Sequence, residues 1–289
     1  MIMQAQGLYT PKDERDACGV GFVASIDGEA RRDVVWAALN ALENIWHRGA
    51  VDADGKTGDG AGIMLEIAPE FFYEHASAGG HRISRRRIGV GQIFLPRTDP
   101  DLQEKCRTLI ERALHREGLV IYGWRQVPVN IEVIGEKARR SLPEIAQILI
   151  GHDGEDEEEF ERILYVVRRR IEKAARQKGV QDFVICSLSC RSIVYKGLFL
   201  AEQITAFYPD LLDRRFYSRF AIFHQRYSTN TFPSWKLAQP FHTLAHNGEI
   251  NTLKGNCAWM RLHERGMAHP YFGSAINDLR PVIDEGVSD

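Results

Sequence analysis

The sequence of 289 residues has no apolar run that approaches the ~20 residues needed to cross a bilayer. Its first 17 residues, MIMQAQGLYTPKDERDA, lack the basic start and the apolar stretch of a secretory signal. It also lacks an excess of either charge, since Lys+Arg 37 against Asp+Glu 39 leaves −2 at pH 7. We therefore expect neither a membrane nor nucleic acid as a partner.

Cysteine is scarce and scattered, and its count is odd: Cys18, Cys106, Cys186, Cys190 and Cys257. In a chain without an export signal this pattern indicates reduced thiols and predicts a cytoplasmic location. Cys186 and Cys190 stand four residues apart in FVICSLSCRSIVY, a run that predicts a buried strand. A zinc site usually needs a closer pair and two further ligands, so no metal is expected.

No dinucleotide-binding fingerprint is present either, because GVGF and GDGAG do not form G-x-G-x-x-G between a strand and a helix. Periodicity predicts helices over 31–46 and 100–116, a third after the acidic start of 151–170, and a fourth opening at 248–249. It predicts a loop over 47–63, and a scaffold without motifs over 97–180. The predicted strands are 19–26, 88–96, 119–129, 182–190, 192–200, 219–226 and 241–246. This mixed order favours an α+β fold with antiparallel sheets.

A cysteine stands at the border where a charged segment becomes an apolar strand, in KDERDACGVGFVASIDG. Cys18 has two interpretations. It is either a small buried residue that opens the strand, or a nucleophile at the strand's end.

Two polar stretches follow apolar strands in the last third of the chain, FAIFHQRYSTNTFPSW (220–235) and FHTLAHNGEINTLKGN (241–256). Asn247 and Gly248 suit a turn, because both residues tolerate positive φ. Alternatively, the Asn247 amide and the Gly248 N–H point two donors at one oxyanion, each worth roughly 3–4 kcal/mol. Arg226 ends a mostly apolar strand, where it forms either a structural salt bridge or a clamp for a carboxylate.

The candidate site has a thiol, oxyanion donors and a carboxylate clamp, but it still lacks a general base. No histidine stands in a thiol-protease signature around Cys18. If residues 1–17 are removed as a propeptide, Cys18 carries a free α-amino group, whose pKa is ordinarily about 7.7–8.0. The nucleophile's own residue then supplies the base.

Taken together, CGVGF, HRGA, TGDGAG, QRYSTNTFPSW and HNGEINTLKGN resemble the N-terminal glutaminase domain of glutamate synthase large subunits. That domain is a class II glutamine amidotransferase of the N-terminal-nucleophile hydrolase fold. The resemblance covers 18–289 and implies a four-layer αββα sandwich with antiparallel sheets. It implies that the thioester route of this family converts glutamine to glutamate and ammonia, which is passed to 2-oxoglutarate.

The resemblance also implies roles for individual residues. Cys18 would be the nucleophile and Asn247 with Gly248 the oxyanion hole. The substrate-binding residues would be Arg226, Tyr227, Thr229, Asn230 and Asp289, with Arg48 organising the loop beside the nucleophile.

The family's domain continues beyond the segment that matches GVSD, so the domain is expected to be truncated at its C-terminus. FMN and an iron–sulfur cluster are expected only in synthase domains outside this chain, which needs no cofactor of its own. The expected partners are L-glutamine and those synthase domains or subunits. Two alternatives remain: a stand-alone class II amidotransferase for another acceptor, and an inactive regulatory or structural fragment of the fold.

Overall fold

The computed structural model describes residues 19–78, 80, 87–154, 156–226, 232–241 and 253–283. The strands are β1 (Val20–Ala24), β2 (Ala61–Glu66), β3 (Ile88–Leu95), β4 (Val120–Gln126), β5 (Glu144–Gly151), β6 (Val184–Ser189), β7 (Ser192–Gly197) and β8 (Phe220–Gln225). The α-helices are α1 (Arg32–Asn44), α2 (Pro69–Ala78), α3 (Pro100–Arg116), α4 (Glu136–Arg140), α5 (Glu157–Gln177), α6 (Ile204–Phe207) and α7 (Leu253–Gly266).

The strands form two sheets of four. Sheet A has the order β1–β8–β2–β7, and sheet B has the order β4–β5–β3–β6. Each neighbouring pair is antiparallel. The α+β sandwich with antiparallel sheets predicted from the sequence is therefore confirmed.

Helices α3 and α5 cover one face of sheet B, and α1 packs against β8 and β1 of sheet A. Along α5 the buried residues recur at helical spacing: Phe160, Leu164, Val167, Ile171 and Ala175. Acidic residues in the first turn of α5 and an arginine in its last turn complement the helix dipole, as its sequence predicts. Within the described residues, every helix is too short or too polar to span a membrane.

A buried polar network joins the two sheets. Gln147 of β5 donates from Nε2 to Gln92 Oε1 at 2.8 Å and to the Tyr195 hydroxyl of β7 at 3.0 Å. Arg125 holds Asp210 with two hydrogen bonds of 2.7 Å each. Because buried polar groups are costly when unpaired, these bonds specify how sheet A sits on sheet B.

Several elements differ from the sequence predictions. The predicted loop 47–63 is wrong at its end, because β2 begins at Ala61, and β5 and α2 were not predicted. The predicted strand 192–200 ends at Gly197. Of the predicted strand 241–246, only Phe241 is described, and it is not in a strand. The predicted helix start at 248–249 lies outside the described residues.

Candidate active site

Two of the site residues predicted from the sequence are described, Arg226 and Arg48. The others lie outside the described residues: Cys18, Tyr227, Thr229, Asn230, Asn247, Gly248 and Asp289. The sequence motifs that surround them are nevertheless described in part, and their positions can be compared.

The beginning of β1 lies beside the end of β8. Gln225 N donates to Gly19 O at 2.7 Å, which extends the pairing of Val20 with His224 by one residue. Gly19 follows Cys18 directly in the chain, and Gln225 precedes Arg226. The register therefore brings the described ends of the CGVGF and QRYSTNTFPSW motifs together.

The TGDGAG motif meets the same end of sheet A. Arg226 N donates to Gly60 O at 2.8 Å, and Ala61 pairs with Gln225. Gly60 has φ +127°, a conformation that an L side chain rarely adopts, and a Cβ there would lie 3.0 Å from Ala238 Cβ. Glycine at this position lets the chain that enters β2 pass close to the Arg226 backbone.

The turn before TGDG is built around one carboxylate. Asp54 accepts hydrogen bonds from Thr57 N at 2.7 Å, Thr57 Oγ1 at 2.6 Å and Lys56 N at 3.0 Å. These bonds lower the pKa of Asp54, and the bond from the Thr57 hydroxyl has the largest effect. The carboxylate thereby shapes the turn that leads into the glycine-rich motif.

The HRGA motif contributes Arg48, in a short 3₁₀ helix over Trp46–Arg48, and Gly49. A Cβ on Gly49 would collide with the side-chain amide of Gln225. Gln225 is 1% exposed, and among the described residues its amide nitrogen and oxygen have no hydrogen-bond partner. Because buried amides are ordinarily hydrogen-bonded, Gln225 gives this end of sheet A a polar character.

Sequence reasoning missed Gln225, although a signal was present. In β8 the buried residues alternate, so Ala221, Phe223 and Gln225 share one face. A polar residue on the same buried face as Ala221 and Phe223 indicates a role other than apolar packing.

Arg226 is 3% exposed at the end of β8. A guanidinium so deeply buried requires compensation, and its planar array of donors matches a carboxylate with two parallel hydrogen bonds. The position is consistent with the predicted clamp.

The end of the QRYSTNTFPSW motif is anchored in the core. Trp235 is 5% exposed, donates from Nε1 to Ala138 O at 3.2 Å, and packs edge-on against Phe94. Farther along, Lys196 Nζ of β7 donates to the carbonyls of Lys236 at 3.0 Å and Ala238 at 2.7 Å. These hydrogen bonds fix the segment 236–238 against β7 of sheet A.

The four described cysteines are free thiols. Burial raises the pKa of Cys186 to about 11, and burial together with Glu161 raises that of Cys190. Cys106 lies on the buried face of α3, where desolvation raises its pKa. Cys106, Cys186 and Cys190 are therefore poor nucleophiles at neutral pH. The described residues contain no group of three or more His, Cys, Asp or Glu side chains that could hold a metal ion.

Known proteins resemble this chain over nearly its whole length. The family profile described as "Glutamine amidotransferases class-II" matches residues 18–289. "Glutamate synthase [NADPH] large chain" of Azospirillum brasilense is 60% identical over 282 residues, 97% of this chain and 19% of that protein. The protein of the same name from Bacillus subtilis is 43% identical over 288 residues, 99% of this chain and 19% of that protein.

A plant protein matches this chain with the same identity as the Bacillus subtilis protein. "Ferredoxin-dependent glutamate synthase 1, chloroplastic/mitochondrial" of Arabidopsis thaliana is 43% identical over 289 residues, 99% of this chain and 18% of that protein. The chain thus spans about a fifth of the length of these relatives.

Proposed function

Because this chain belongs to the class II glutamine amidotransferases, a family of N-terminal-nucleophile hydrolases, we propose that it is the glutaminase part of a glutamate synthase. It hydrolyses the side-chain amide of L-glutamine and supplies ammonia to 2-oxoglutarate on synthase domains of a longer protein. The names of the relatives favour this role over a stand-alone amidotransferase with another acceptor.

One observation carries the assignment of the site. Hydrogen bonds from Gln225 N to Gly19 O and from Arg226 N to Gly60 O bring the ends of three motifs to one end of sheet A. Arg48 and Gly49 of a fourth motif adjoin them, since the Arg48 Cβ lies 3.7 Å from the position of a Cβ on Gly19. A nucleophile adjacent to Gly19 and a clamp at Arg226 are therefore compatible with a single glutamine molecule.

The reaction begins when the Cys18 thiolate attacks the δ-carbonyl carbon of glutamine, after its proton has passed to the Cys18 α-amine. The tetrahedral oxyanion is stabilised by the Asn247 side-chain amide and the Gly248 N–H. As the C–N bond breaks, the α-ammonium returns the proton and ammonia leaves. Water then attacks the γ-glutamyl thioester, which releases glutamate and restores the thiol.

Arg226 binds the α-carboxylate of glutamine with two parallel hydrogen bonds. Tyr227, Thr229 and Asn230 line the same pocket, and Asp289 accepts from the α-amino group. Arg48 organises the loop beside the nucleophile.

Removal of residues 1–17 as a propeptide is part of the proposal, because the α-amine of Cys18 must be free to act as the base. The family match begins at Cys18, which supports this boundary.

The proposal assigns no metal or cofactor to this chain and places FMN and the iron–sulfur cluster in the synthase domains. A cytoplasmic location completes it, supported by the free thiols of the described cysteines.

A glutamine analogue with an electrophilic diazoketone in place of the side-chain amide tests the nucleophile. The Cys18 sulfur displaces dinitrogen and forms a stable thioether, so intact mass and peptide mapping locate the label. We expect a chain that begins at Cys18 and carries one label there. Glutamine at millimolar concentration should protect it.

The matched variants are Cys18→Ser and Cys106→Ala. We expect Cys18→Ser to abolish labelling and reduce glutaminase activity about 10³-fold or more. Cys106→Ala, on the buried face of α3, should label like the parent chain. Labelling at another cysteine would refute the nucleophile. Full labelling of a chain that retains residues 1–17 would refute the α-amine as its base.

A further inference from the structure

Lys196 is a buried cation at the edge of sheet A. It is 2% exposed in β7, and its ammonium donates to two neutral carbonyls, those of Lys236 at 3.0 Å and Ala238 at 2.7 Å. The main chain of Lys196 is also fixed, because the buried Tyr208 hydroxyl donates to Lys196 O at 2.8 Å. Lys196 thus links a fixed position in β7 to the segment that contains Lys236 and Ala238.

A buried ammonium has a cost in this position. Burial lowers the pKa of Lys196 to about 8, which shows that its charged form is disfavoured relative to water. An apolar side chain of similar length, such as that of methionine, would fill the same space without this cost. We therefore attribute the presence of lysine to its two hydrogen bonds.

The segment that Lys196 holds lies directly on the glycines of the TGDGAG motif. A Cβ on Gly60 would lie 3.0 Å from Ala238 Cβ, and a Cβ on Gly62 would lie 2.5 Å from Gln239 O. Both glycines therefore let the main chain of the segment approach β2 closely. Lys196 pairs with Gly62 across sheet A, so it holds the segment from the neighbouring strand.

The same contacts reach the proposed carboxylate clamp. Gly60 O accepts a hydrogen bond from Arg226 N at 2.8 Å. Lys196 is therefore connected to the Arg226 backbone through Ala238 and Gly60, and each step is a direct contact between described residues. A group that binds substrate loses much of its effect when it is displaced by about 1 Å. The position of the Arg226 guanidinium thus depends on how firmly Ala238 is held on Gly60.

We propose that Lys196 is a positioning residue for the glutamine site, which keeps Ala238 on Gly60 and thereby fixes the backbone from which Arg226 binds the α-carboxylate. This role rests on the proposed function, which supplies the identity of the ligand. Lys196 acts through Ala238 and Gly60 and not by contact with glutamine. Loss of its ammonium should therefore weaken the binding of glutamine more than it slows the chemical step.

Steady-state hydrolysis of glutamine by Lys196→Met tests the proposal, with reactive sites counted by the diazoketone analogue. We expect KM to rise about fivefold or more and kcat per reactive site to stay within about twofold of the parent value. A merely structural role would reduce the number of reactive sites and leave KM unchanged. Lys105→Met, on the exposed surface of α3, is the control and should keep both constants. An unchanged KM in Lys196→Met, or a fall in kcat alone, would overturn the proposal.

Hydrogen exchange of backbone amides provides a readout that does not depend on activity. In Lys196→Met the Arg226 amide, which donates to Gly60 O, should exchange about tenfold faster or more, whereas the amides of β5 should keep their rates. Unchanged exchange at Arg226 would also overturn the proposal. If the parent chain showed neither glutaminase activity nor labelling at Cys18, the proposed function would fail. Exchange at Arg226 would then still decide whether Lys196 positions that backbone.

A second variant tests the same path and decides the question if Lys196→Met does not fold. Ala238 is fully buried against Gly60, so the larger side chain of Ala238→Val should displace Gly60 while the Lys196 ammonium stays in place. We expect KM for glutamine to rise about threefold or more, again with little change in kcat. A KM equal to that of the parent chain would show that Arg226 does not depend on this contact, and would refute the role of Lys196.

Discussion

Sheets A and B are both four-stranded and antiparallel, but the face of sheet B under α3 and α5 buries different side chains from the end of sheet A. The face of sheet B under α3 and α5 is lined by aliphatic side chains such as Ile93, Ile148 and Ile150. The end of sheet A buries Gln225 and Arg226, and its edge strand β7 buries Lys196.

This difference teaches which region carries stability and which carries chemistry. Burial of aliphatic side chains is non-directional, so it tolerates small displacements. Buried amides and cations depend on the position of each partner, and a small displacement leaves them unsatisfied. Substitutions in the two regions should therefore have different consequences.

The largest effect on stability is expected in the core of sheet B. Leu164 of α5 is fully buried, so Leu164→Ala should lower the free energy of unfolding by about 2–5 kcal/mol. The exposed Gln177→Ala on the same helix should change it by less than about 0.5 kcal/mol. Urea unfolding measures both. Analogue labelling of Cys18 should keep its rate in each variant, and a slower reaction in folded Leu164→Ala would show that this core also positions the site.

A smaller effect on stability, but a larger one on reactivity, is expected at the end of sheet A. In Gly49→Ala the added methyl group meets the buried Gln225 amide, which should cost about 1–3 kcal/mol. Analogue labelling should slow at least tenfold, because the contact displaces the β1–β8 end.

Gly266→Ala is the control, since a Cβ at the end of α7 meets nothing within 4 Å. Its stability should change by less than about 1 kcal/mol and its labelling rate should stay the same. If Gly49→Ala behaved like Gly266→Ala, the close packing of HRGA on Gln225 would have no importance for the site.

The smallest expected effect is a dependence of stability on pH, which arises from Lys196. Burial lowers the pKa of Lys196 from 10.5 to about 8, with smaller contributions from Arg168, Lys236 and Arg226, while Cys186 acts in the opposite direction. Below pH 8 the native and unfolded chains both hold the proton, so the cost of the buried charge is present in full. Between pH 8 and 10.5 the unfolded chain binds more protons, and native stability rises with pH.

Lys196→Met removes this dependence. The free energy of unfolding of the parent chain, minus that of Lys196→Met, should increase by about 1 kcal/mol from pH 7 to pH 9. Urea unfolding at several pH values provides the difference. A decrease instead would indicate that the folded protein stabilises the ammonium.

The strongly periodic elements were predictable. The predicted helix 100–116 coincides with α3, which begins after the N-cap Asp99 and has proline in its first turn. The prediction of 31–46 exceeds α1 by a few residues at its ends. Local spacing and capping suffice for such segments because their contacts are close in sequence.

The missed strands lack that local signal. In β2, AGIMLE, and in β5, EIAQILIG, nearly all side chains are buried, so apolar and polar residues do not alternate. The glycines before β2 also indicated a loop. In sheet A, β2 is a central strand because it pairs with β7 and β8. In sheet B, β5 is a central strand because it pairs with β3 and β4.

The sequence by itself determined the class of fold, the clamp candidate Arg226 and the family, because motifs and periodicity are properties of short segments. Only the tertiary structure decided that HRGA, TGDGAG and the ends of β1 and β8 meet around Gln225. These contacts join residues more than 100 positions apart, such as Gly19 and Gln225 or Gly60 and Arg226. Such contacts depend on the register of sheet A, which the arrangement of all its strands determines together.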